Sequence, residues 1–428
     1  MTDVHHTYEF RCPVHGFIEL SAWEREIISH PAFQRLRRIR QLGWTDHIYP
    51  GAMHTRFEHS LGVMHVATAM LDAIVGGGRT LLEEELGFDD AGICRDRILV
   101  RLAALLHDLG HTPFSHGAED LFPEFEEEGR RYVHEEYSAA IIRHRMRDVI
   151  ENHPANANYR ISADDVANLL EGSSESARSL IWREIITGQM DADRIDYLLR
   201  DSLHAGVDYG RFDWRRLIGC LALVRTEDER GWRLGVTEGG LHAAESLVLA
   251  RYLMFTQVYF HKTRVAYDHH LQMALAELLP DGLFPPPHAG QLDAFLRWDD
   301  WRVLGRLADG EGGDHGRRLS SRDHYRQVWH SAENPGRHDV ETFHMIQGAL
   351  GSKMPLVASA SKSWYRFDES DVPVQSDNPG QAAVPLSHLS DVIKGMRPIG
   401  KIMAYSAPEN VASARAVVQN CVQSVGRR

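Results

Sequence analysis

Cysteine is scarce in this sequence and long apolar runs are missing, and both absences limit what the protein can be. The 428 residues include only 4 cysteines, at positions 12, 94, 220 and 421, and none of them belongs to a CxxC pair. We therefore expect neither a disulfide framework nor a cysteine-zinc site. The default location of such a protein is the reducing cytoplasm. No uninterrupted apolar run approaches the ~18 residues that a membrane span needs. The first residues also lack the basic and apolar regions of a secretory signal, so no membrane association is expected.

The chain also lacks an excess of positive charge. It has 47 Lys plus Arg against 60 Asp plus Glu, which gives a net charge of -13. Binding along a nucleic acid requires a basic surface, so nucleic acid is not the favoured partner, although a local pocket for one small polyphosphate is compatible with this charge. Histidine, by contrast, is abundant, with 26 residues. It is the commonest metal ligand and titrates near neutral pH.

Hydrophobic periodicity predicts a mainly helical protein. Helical apolar stripes run over Leu61 to Val75, Ile98 to Leu106 and Leu241 to Leu279. The second stripe is apolar nearly all round, so this helix should be deeply buried. Alternation from Leu221 to Val236 predicts a small hairpin. We therefore predict a helical unit over residues 1–280 and a smaller mixed α/β appendage over residues 281–428.

The strongest local signal is the pair His107 and Asp108 at the end of the buried helix. A buried charge is costly unless it is paired or binds a metal. Two adjacent ligands at a helix end can face one cation, and His59 and Asp193 are candidates for further ligands. Imidazole and carboxylate ligands suit Mn, Fe, Zn or a similar divalent ion. The alternative is a surface salt bridge, which is the commoner role of an isolated His-Asp pair.

Three more histidines, His111, His116 and His134, follow this pair. The first two lie in a segment with Gly and Pro directly after a buried helix, where packing does not explain them. Loops carry a large share of functional residues. These histidines therefore favour a catalytic interpretation of the His-Asp pair.

A second group lies on a predicted helix, where Asp193, Tyr197 and Asp201 follow at intervals of four and share one face. Such a face could contact a metal, a sugar or base, and a hydroxyl group. The alternative is a solvated face with arginines 194 and 200 as ion partners.

A third group consists of Arg251, Tyr259 and His261 on the long predicted helix. Arg251 and Tyr259 are eight residues apart and so lie near one face. The alternative is an amphipathic core helix with polar ends.

Three segments together resemble the HD-domain phosphohydrolases, in the branch of the deoxynucleoside triphosphate (dNTP) triphosphohydrolases. They are His54 to Val63 (HTRFEHSLGV), His107 to His116 (HDLGHTPFSH) and Asp193 to Asp201 (DRIDYLLRD). Weaker likeness occurs at Phe33 to Gly43 and at Tyr259 to Lys262. The ordered set is far more specific than an isolated His-Asp pair, and the resemblance covers about residues 10 to 280.

The resemblance implies an all-α HD-domain fold with small β hairpins, and hydrolysis of dNTPs to deoxynucleoside and inorganic triphosphate. The metal ligands that it implies are His59, His107, Asp108 and Asp193. The catalytic residues that it implies are His111, His116 and His134, with Glu135 orienting a histidine. The substrate contacts that it implies are Gln41, Arg56, Arg194, Tyr197, Asp201, Arg251, Tyr259 and His261. The two tyrosines would form a wall that excludes a 2′-hydroxyl group.

The same resemblance implies a divalent metal at the HD site, Mg with the nucleotide phosphates, and a homo-oligomer (dimer or tetramer). It leaves nucleotide activation open. Cys12 and Ser29 replace acidic residues of the guanine-regulated members, whereas Gln34 and Arg37 are retained. One rival is an HD phosphohydrolase that acts on nucleoside monophosphates or cyclic nucleotides. The other is a catalytically idle scaffold that binds nucleotides or nucleic acid.

Overall fold

The structure, a computed structural model, describes residues 8–125, 127–173, 181–226, 231–359, 365, 371–378 and 381–425. Its helices are α1 Ala22–Ser29, α2 Pro31–Gln34, α3 Arg56–Gly77, α4 Arg79–Glu84, α5 Asp90–Leu106, α6 His134–Arg145, α7 Arg147–Glu151, α8 Ala163–Glu171, α9 Arg183–Ile186, α10 Ala192–Ala205, α11 Trp214–Gly219, α12 Leu241–Met254, α13 Lys262–Leu278, α14 Leu292–Leu296, α15 Asp300–Ala308, α16 Gly313–Ser320, α17 Arg337–Leu350, α18 Leu386–Leu389, α19 Asp391–Gly395 and α20 Val411–Val425. Its strands are β1 Tyr8–Cys12, β2 Gly16–Leu20, β3 Glu124–Phe125, β4 Arg130–Arg131, β5 Leu221–Arg225, β6 Trp232–Thr237, β7 Arg326–His330, β8 Leu356–Ser359, β9 Pro373–Gln375, β10 Val384–Pro385 and β11 Ile402–Ser406. The prediction of a mainly helical fold with small β elements is confirmed.

Helices α3 and α5 pack along each other at the centre of the fold. Thr55 and Glu58 form a capping box that starts α3, and the Asp89 side chain caps α5. Helix α10 packs against α3, while α8 packs against α5 and α6. The ends of α3, α5 and α10 thus meet in one place.

Helix α3 is long and apolar enough to cross a membrane, with a mean hydropathy of 1.4 over 18 residues, and is unique in this respect among the described residues. Yet 61% of that window is buried inside the protein. Its apolar composition is therefore that of a core helix.

The hairpin predicted over Leu221 to Val236 is confirmed, since β5 and β6 pair antiparallel with these two residues as partners. Residues 227–230, within the predicted turn, lie outside the described part of the chain. The continuous helix predicted up to Leu279 is wrong at its centre. A π-helical turn, Phe255–Tyr259, ends α12, and His261 then caps a new helix by accepting from the N–H of Thr263.

The C-terminal part contains a three-stranded antiparallel sheet in the order β7-β11-β8, and helices α17 and α20 pack together beside β7. Side chains of α14, α15 and α16, such as Phe295, Val303 and Leu319, belong to the same apolar core as α3 and α5. These three helices thus pack with the helical unit, although they follow residue 280. A domain boundary at that residue stays a prediction.

Candidate active site

The four residues predicted as metal ligands converge from three elements. His59 lies on α3, His107 and Asp108 follow directly on α5, and Asp193 lies in the first turn of α10. The Oδ1 atom of Asp193 lies 3.0 Å from Nε2 of His59 and 3.7 Å from Nε2 of His107. Asp108 lies 3.2 Å from His107 and 3.6 Å from His59. The packing of α3, α5 and α10 therefore brings residues 134 positions apart within reach of one ion.

Hydrogen bonds at Nδ1 turn the Nε2 atom of each imidazole towards the carboxylates of Asp108 and Asp193, where a cation would replace the contact of His59 with Asp193. Nδ1 of His107 lies 2.8 Å from the carbonyl oxygen of Ala104, and Nδ1 of His59 lies 2.8 Å from Asp196. Both partners can only accept, so Nδ1 carries the proton and Nε2 the lone pair in each neutral ring. Nε2 of His107 is buried without a hydrogen-bond partner among the described residues. Lone pairs and carboxylate oxygens therefore face one another, an arrangement that a divalent cation would satisfy.

The electrostatics of this cluster also favour a cation. Burial alone would lower the pKa of His59, but its hydrogen bonds to Asp193 and Asp196 raise it to about 10. Burial raises the pKa of Asp108, but Arg56 at 2.7 Å, together with His107 and His111, holds it well below its ordinary value. The site thus carries carboxylates that remain ionised and attract positive charge.

Two glycines allow the elements around the site to pack closely together. At Gly62 on α3, an added Cβ would lie 1.9 Å from Oδ1 of Asp196, and at Gly110 it would lie 2.1 Å from the carbonyl oxygen of His134. Gly110 also donates its N–H to Ser138, which in turn donates to the carbonyl oxygen of His107. The turn after α5 is therefore pinned to the start of α6.

The three further histidines form a second group beside the metal cluster. The His111 and His134 rings stack at 3.9 Å, and His116 lies edge-on to both. Glu119, which sequence reasoning missed, connects them: its carboxylate lies 2.8 Å from His134, 3.0 Å from His116 and 3.4 Å from His111. The signal for Glu119 was its position three residues after His116, one helical turn away.

The pKa values of His111 and His134 are shifted in opposite directions. Burial and the nearby Arg56 keep the pKa of His111 well below its ordinary value. Burial would also lower the pKa of His134, but the charge and hydrogen bond of Glu119, together with the charges of Glu135 and Asp108, raise it. His111 lies 3.1 Å from Asp108 and thus joins the group to the metal cluster. Glu135 lies 3.3 Å from His134, farther than Glu119, and is half exposed.

Two of the residues predicted as substrate contacts on α10 meet the π-helical turn after α12. Tyr197 and Tyr259 lie edge to face at 6.1 Å. Both oxygens of Asp201 are occupied, one by His54 and the other by the hydroxyl of Tyr259, each at 2.7 Å. Oε1 of Gln41, in contrast, is buried without a partner among the described residues and is free to accept from a ligand hydroxyl.

The arginines and the histidine predicted as substrate contacts differ in what they already bind. Arg56 donates to Asp108 and to Ser115. Arg194 is paired with Asp191 at the start of α10, and Arg251 is half-buried beside Arg194 and Tyr197. His261 is engaged in capping α13.

A third histidine group, His269, His270 and His315, lies between α13 and α16. Nε2 of His270 accepts from the N–H of Tyr325, so Nδ1 carries the proton and donates to His315 at 2.9 Å. This group is internally hydrogen-bonded, and His270 offers no lone pair to a metal.

The loop that carries His116 is strained and is held by a residue far along the chain. Phe114 and Ser115 have φ angles of 58° and 60°, in the left-handed region, which costs about 1–3 kcal/mol each for a residue with a side chain. Asp300 on α15 accepts from the N–H of Phe114 at 2.7 Å and from that of Arg40 at 2.9 Å. Burial raises the pKa of Asp300 to about 7.

We expect Asp300→Ala to destabilise the protein. The substitution leaves the buried N–H groups of Phe114 and Arg40 unpaired, at about 1–3 kcal/mol for each. Urea unfolding measures this loss, with the exposed Asp309→Ala as the control. Equal stability of both variants would contradict the role of Asp300.

Comparison with known proteins agrees with this geometry. The family profile described as HD domain matches residues 56–201, and that of the HD associated region matches residues 212–348. The chain belongs to the HD-domain family. The HD domain contains all four candidate metal ligands, and Asp300 lies in the HD associated region.

Relatives of this HD-domain protein include uncharacterized proteins and proteins named as enzymes. The uncharacterized protein YwfO of Bacillus subtilis is 36% identical over 255 residues, which cover 59% of this chain and 51% of that protein. Deoxynucleoside triphosphate triphosphohydrolase SAMHD1 of Gallus gallus is 35% identical over 233 residues, 49% of this chain and 36% of that protein. The chain thus spans about half or less of the length of these two relatives. The crystal structure of a hypothetical protein from Aquifex aeolicus has a TM-score of 0.78 and 30% identity, and covers 96% of this chain and 100% of its own.

Proposed function

We propose that the protein hydrolyses dNTPs to deoxynucleoside and inorganic triphosphate. The observation that carries the proposal is the adjacency of two groups: a His-Asp cluster fit for a divalent cation, and a histidine–glutamate group joined to it by His111 and Asp108 at 3.1 Å. The named relative SAMHD1 supports the choice of substrate. The native metal is one of Mn, Fe, Zn or a similar ion, and Mg accompanies the nucleotide phosphates.

His59, His107, Asp108 and Asp193 would hold the metal. When bound, a divalent cation supplies Lewis-acid polarisation of a phosphoryl oxygen and lowers the pKa of water. Water attacks the α-phosphorus in line, a bond from water oxygen to phosphorus forms, and the bond to the 5′-oxygen breaks.

His134 is the general acid in this proposal. Its imidazolium is stabilised by Glu119 at 2.8 Å, and it donates a proton to the departing 5′-oxygen of the deoxynucleoside. His111, stacked on it, stays neutral and lies between the acid and Asp108. Two adjoining histidines with oppositely shifted pKa values suit one acid and one hydrogen-bonding partner.

Tyr197 and Tyr259 give the preference for a deoxyribose. We expect Tyr197→Ala to lower the ratio of kcat/KM for dNTP over NTP by about 10-fold or more, since one group in a pocket contributes on this scale. Metal content should stay unchanged, because Tyr197 is not among the residues of the metal cluster. The exposed Tyr209→Ala is the matched control. An unchanged selectivity ratio would contradict the tyrosine wall.

A separate cavity supports nucleotide activation. It has a volume of about 570 Å³ and is lined by His47, Ile48, Thr263, Arg322, His324 and Arg326. Arg322 donates to the carbonyl oxygen of His47 at 3.2 Å and Arg326 contacts the ring of His324. These partners carry no negative charge, so the phosphates of a nucleotide would supply the opposite charge that the two guanidinium groups attract. Assembly into a dimer or tetramer and a cytoplasmic location remain part of the proposal.

Product analysis tests the reaction. The purified chain is incubated with the four dNTPs, singly and mixed, with Mn or Mg, and the products are separated by ion exchange. Deoxynucleoside with intact triphosphate supports the proposal, and turnover confined to the mixture supports an activator. Orthophosphate release would favour another HD phosphohydrolase, and no turnover with metal bound would favour the idle scaffold.

A further inference from the structure

The turn of the N-terminal hairpin reaches the back of the metal cluster. His15 lies in this turn, between β1 and β2, and its side chain is fully buried. Nε2 of His15 lies 2.6 Å from Oδ1 of Asp196, a residue 181 positions away. The other oxygen of Asp196 lies 2.8 Å from Nδ1 of His59. One carboxylate therefore joins the hairpin to a candidate metal ligand.

The surroundings of His15 argue against a role in packing alone. A carboxylate only accepts, so His15 donates from Nε2. Its Nδ1 is buried and lacks a hydrogen-bond partner among the described residues. The ring lies 5.0 Å from the ring of His65 and edge-on to Trp214 at 5.5 Å. An apolar ring would fill this space without the cost of a buried unpaired nitrogen, so the bond to Asp196 distinguishes histidine from phenylalanine here.

Arg200 also binds Asp196, through Nε at 2.8 Å and Nη2 at 2.9 Å. Both residues belong to α10, one helical turn apart. Arg200 reaches outside the helix to Sγ of Cys12 at 3.5 Å, but sulfur is a weak acceptor, so this contact holds the carboxylate less firmly than a short hydrogen bond does. His15 supplies an anchor from outside the helix. Its contact and that of His59 hold the two carboxylate oxygens in place.

We propose that His15 is a positioning residue for the metal centre. Through Asp196 it fixes the ring orientation and the Nδ1–H tautomer of His59, so that Nε2 points at the metal. Outer hydrogen-bond partners of this kind typically contribute 10–100-fold to metal affinity. The inference rests on the metal centre of the proposed function, but it does not depend on which phosphoester is hydrolysed.

The test compares two amides at position 15. In His15→Gln the amide nitrogen lies near the place of Nε2 and can still donate to Asp196, whereas in His15→Asn it ends near Nδ1 and falls short. The full chain is stripped with a chelator and titrated with Mn²⁺ and with Co²⁺ against a competing indicator. The absorption spectrum of bound Co²⁺ reports the ligand geometry, and melting of the metal-free forms reports stability. His144→Asn, at an exposed position, is the control.

We expect His15→Asn to bind metal about 10–100-fold more weakly and His15→Gln to stay near the native affinity. His15→Phe, which keeps the ring volume, repeats the measurement should the Asn variant not fold. Native affinity and an unchanged Co²⁺ spectrum in His15→Asn or His15→Phe would overturn the proposal, as would an equal loss in His15→Gln. A wild-type chain that binds neither ion would overturn the metal centre itself, a failure distinct from loss of the His15 effect.

Discussion

His107→Ala is expected to lose its divalent metal and its hydrolytic activity together. The substitution removes the buried Nε2, which has no hydrogen-bond partner among the described residues and faces the oxygens of Asp108 and Asp193. Three ligand candidates would remain, so metal occupancy should fall after dialysis. Because a bound metal contributes several kcal/mol to transition-state stabilisation, the rate should fall by at least about 10³-fold.

Metal analysis of the purified variant and its kcat with dNTPs provide the two measurements. The exposed His242→Ala is the control, since its side chain is 88% exposed and, within the described part of the chain, hydrogen-bonds to Glu245 alone. A His107→Ala protein with a full equivalent of metal would contradict the ligand assignment. Full activity without metal would contradict the role of the cluster in the reaction.

The spacing of the site residues in the sequence decides which of them could be predicted. His107 and Asp108 are adjacent at the end of a helix that is apolar nearly all round, and His59 and Asp193 fall in the other two segments that resemble the family. The structure brings all four together because α3 packs on both α5 and α10. The local sequence pattern was therefore enough to predict the candidate metal ligands that lie at recognisable helix ends.

Residues that act through a contact between distant segments were not predictable in this way. Asp196 has ordinary helical surroundings in the sequence, and the spacing of Glu119 relates it to His116 alone; only the fold shows that these carboxylates bind His59 and His134. Asp300 lies in the segment assigned to the C-terminal appendage, yet it holds Phe114. The break between α12 and α13 likewise depends on the cap formed by His261, which apolar periodicity does not report.

The Glu119→Gln variant is expected to retain the metal and to lose most of its catalytic activity. Glu119 contacts the three histidines of the second group and none of the four candidate ligands among the described residues. When the charge of Glu119 is removed, His134 loses the partner that stabilises its imidazolium form. General acid catalysis contributes about 10²–10⁴-fold, so kcat should fall by that order while metal content stays native. His134→Ala should behave in the same way, and Glu135→Gln, at the more distant carboxylate, should cost less.

The pH profile of the Glu119→Gln enzyme separates this role from a structural one. Burial lowers the pKa of His134 and Glu119 raises it above its ordinary value, so removal of the charge leaves burial as the larger effect and the pKa falls. A general acid must be protonated, so activity is lost as the pH rises through its pKa. The alkaline limb of kcat should therefore move to lower pH in Glu119→Gln, and the rate deficit should be smallest in acid. An equal loss of kcat at every pH would mean that Glu119 only holds the loop of His116 in place. Loss of metal in this variant would mean that the second group is part of the metal site.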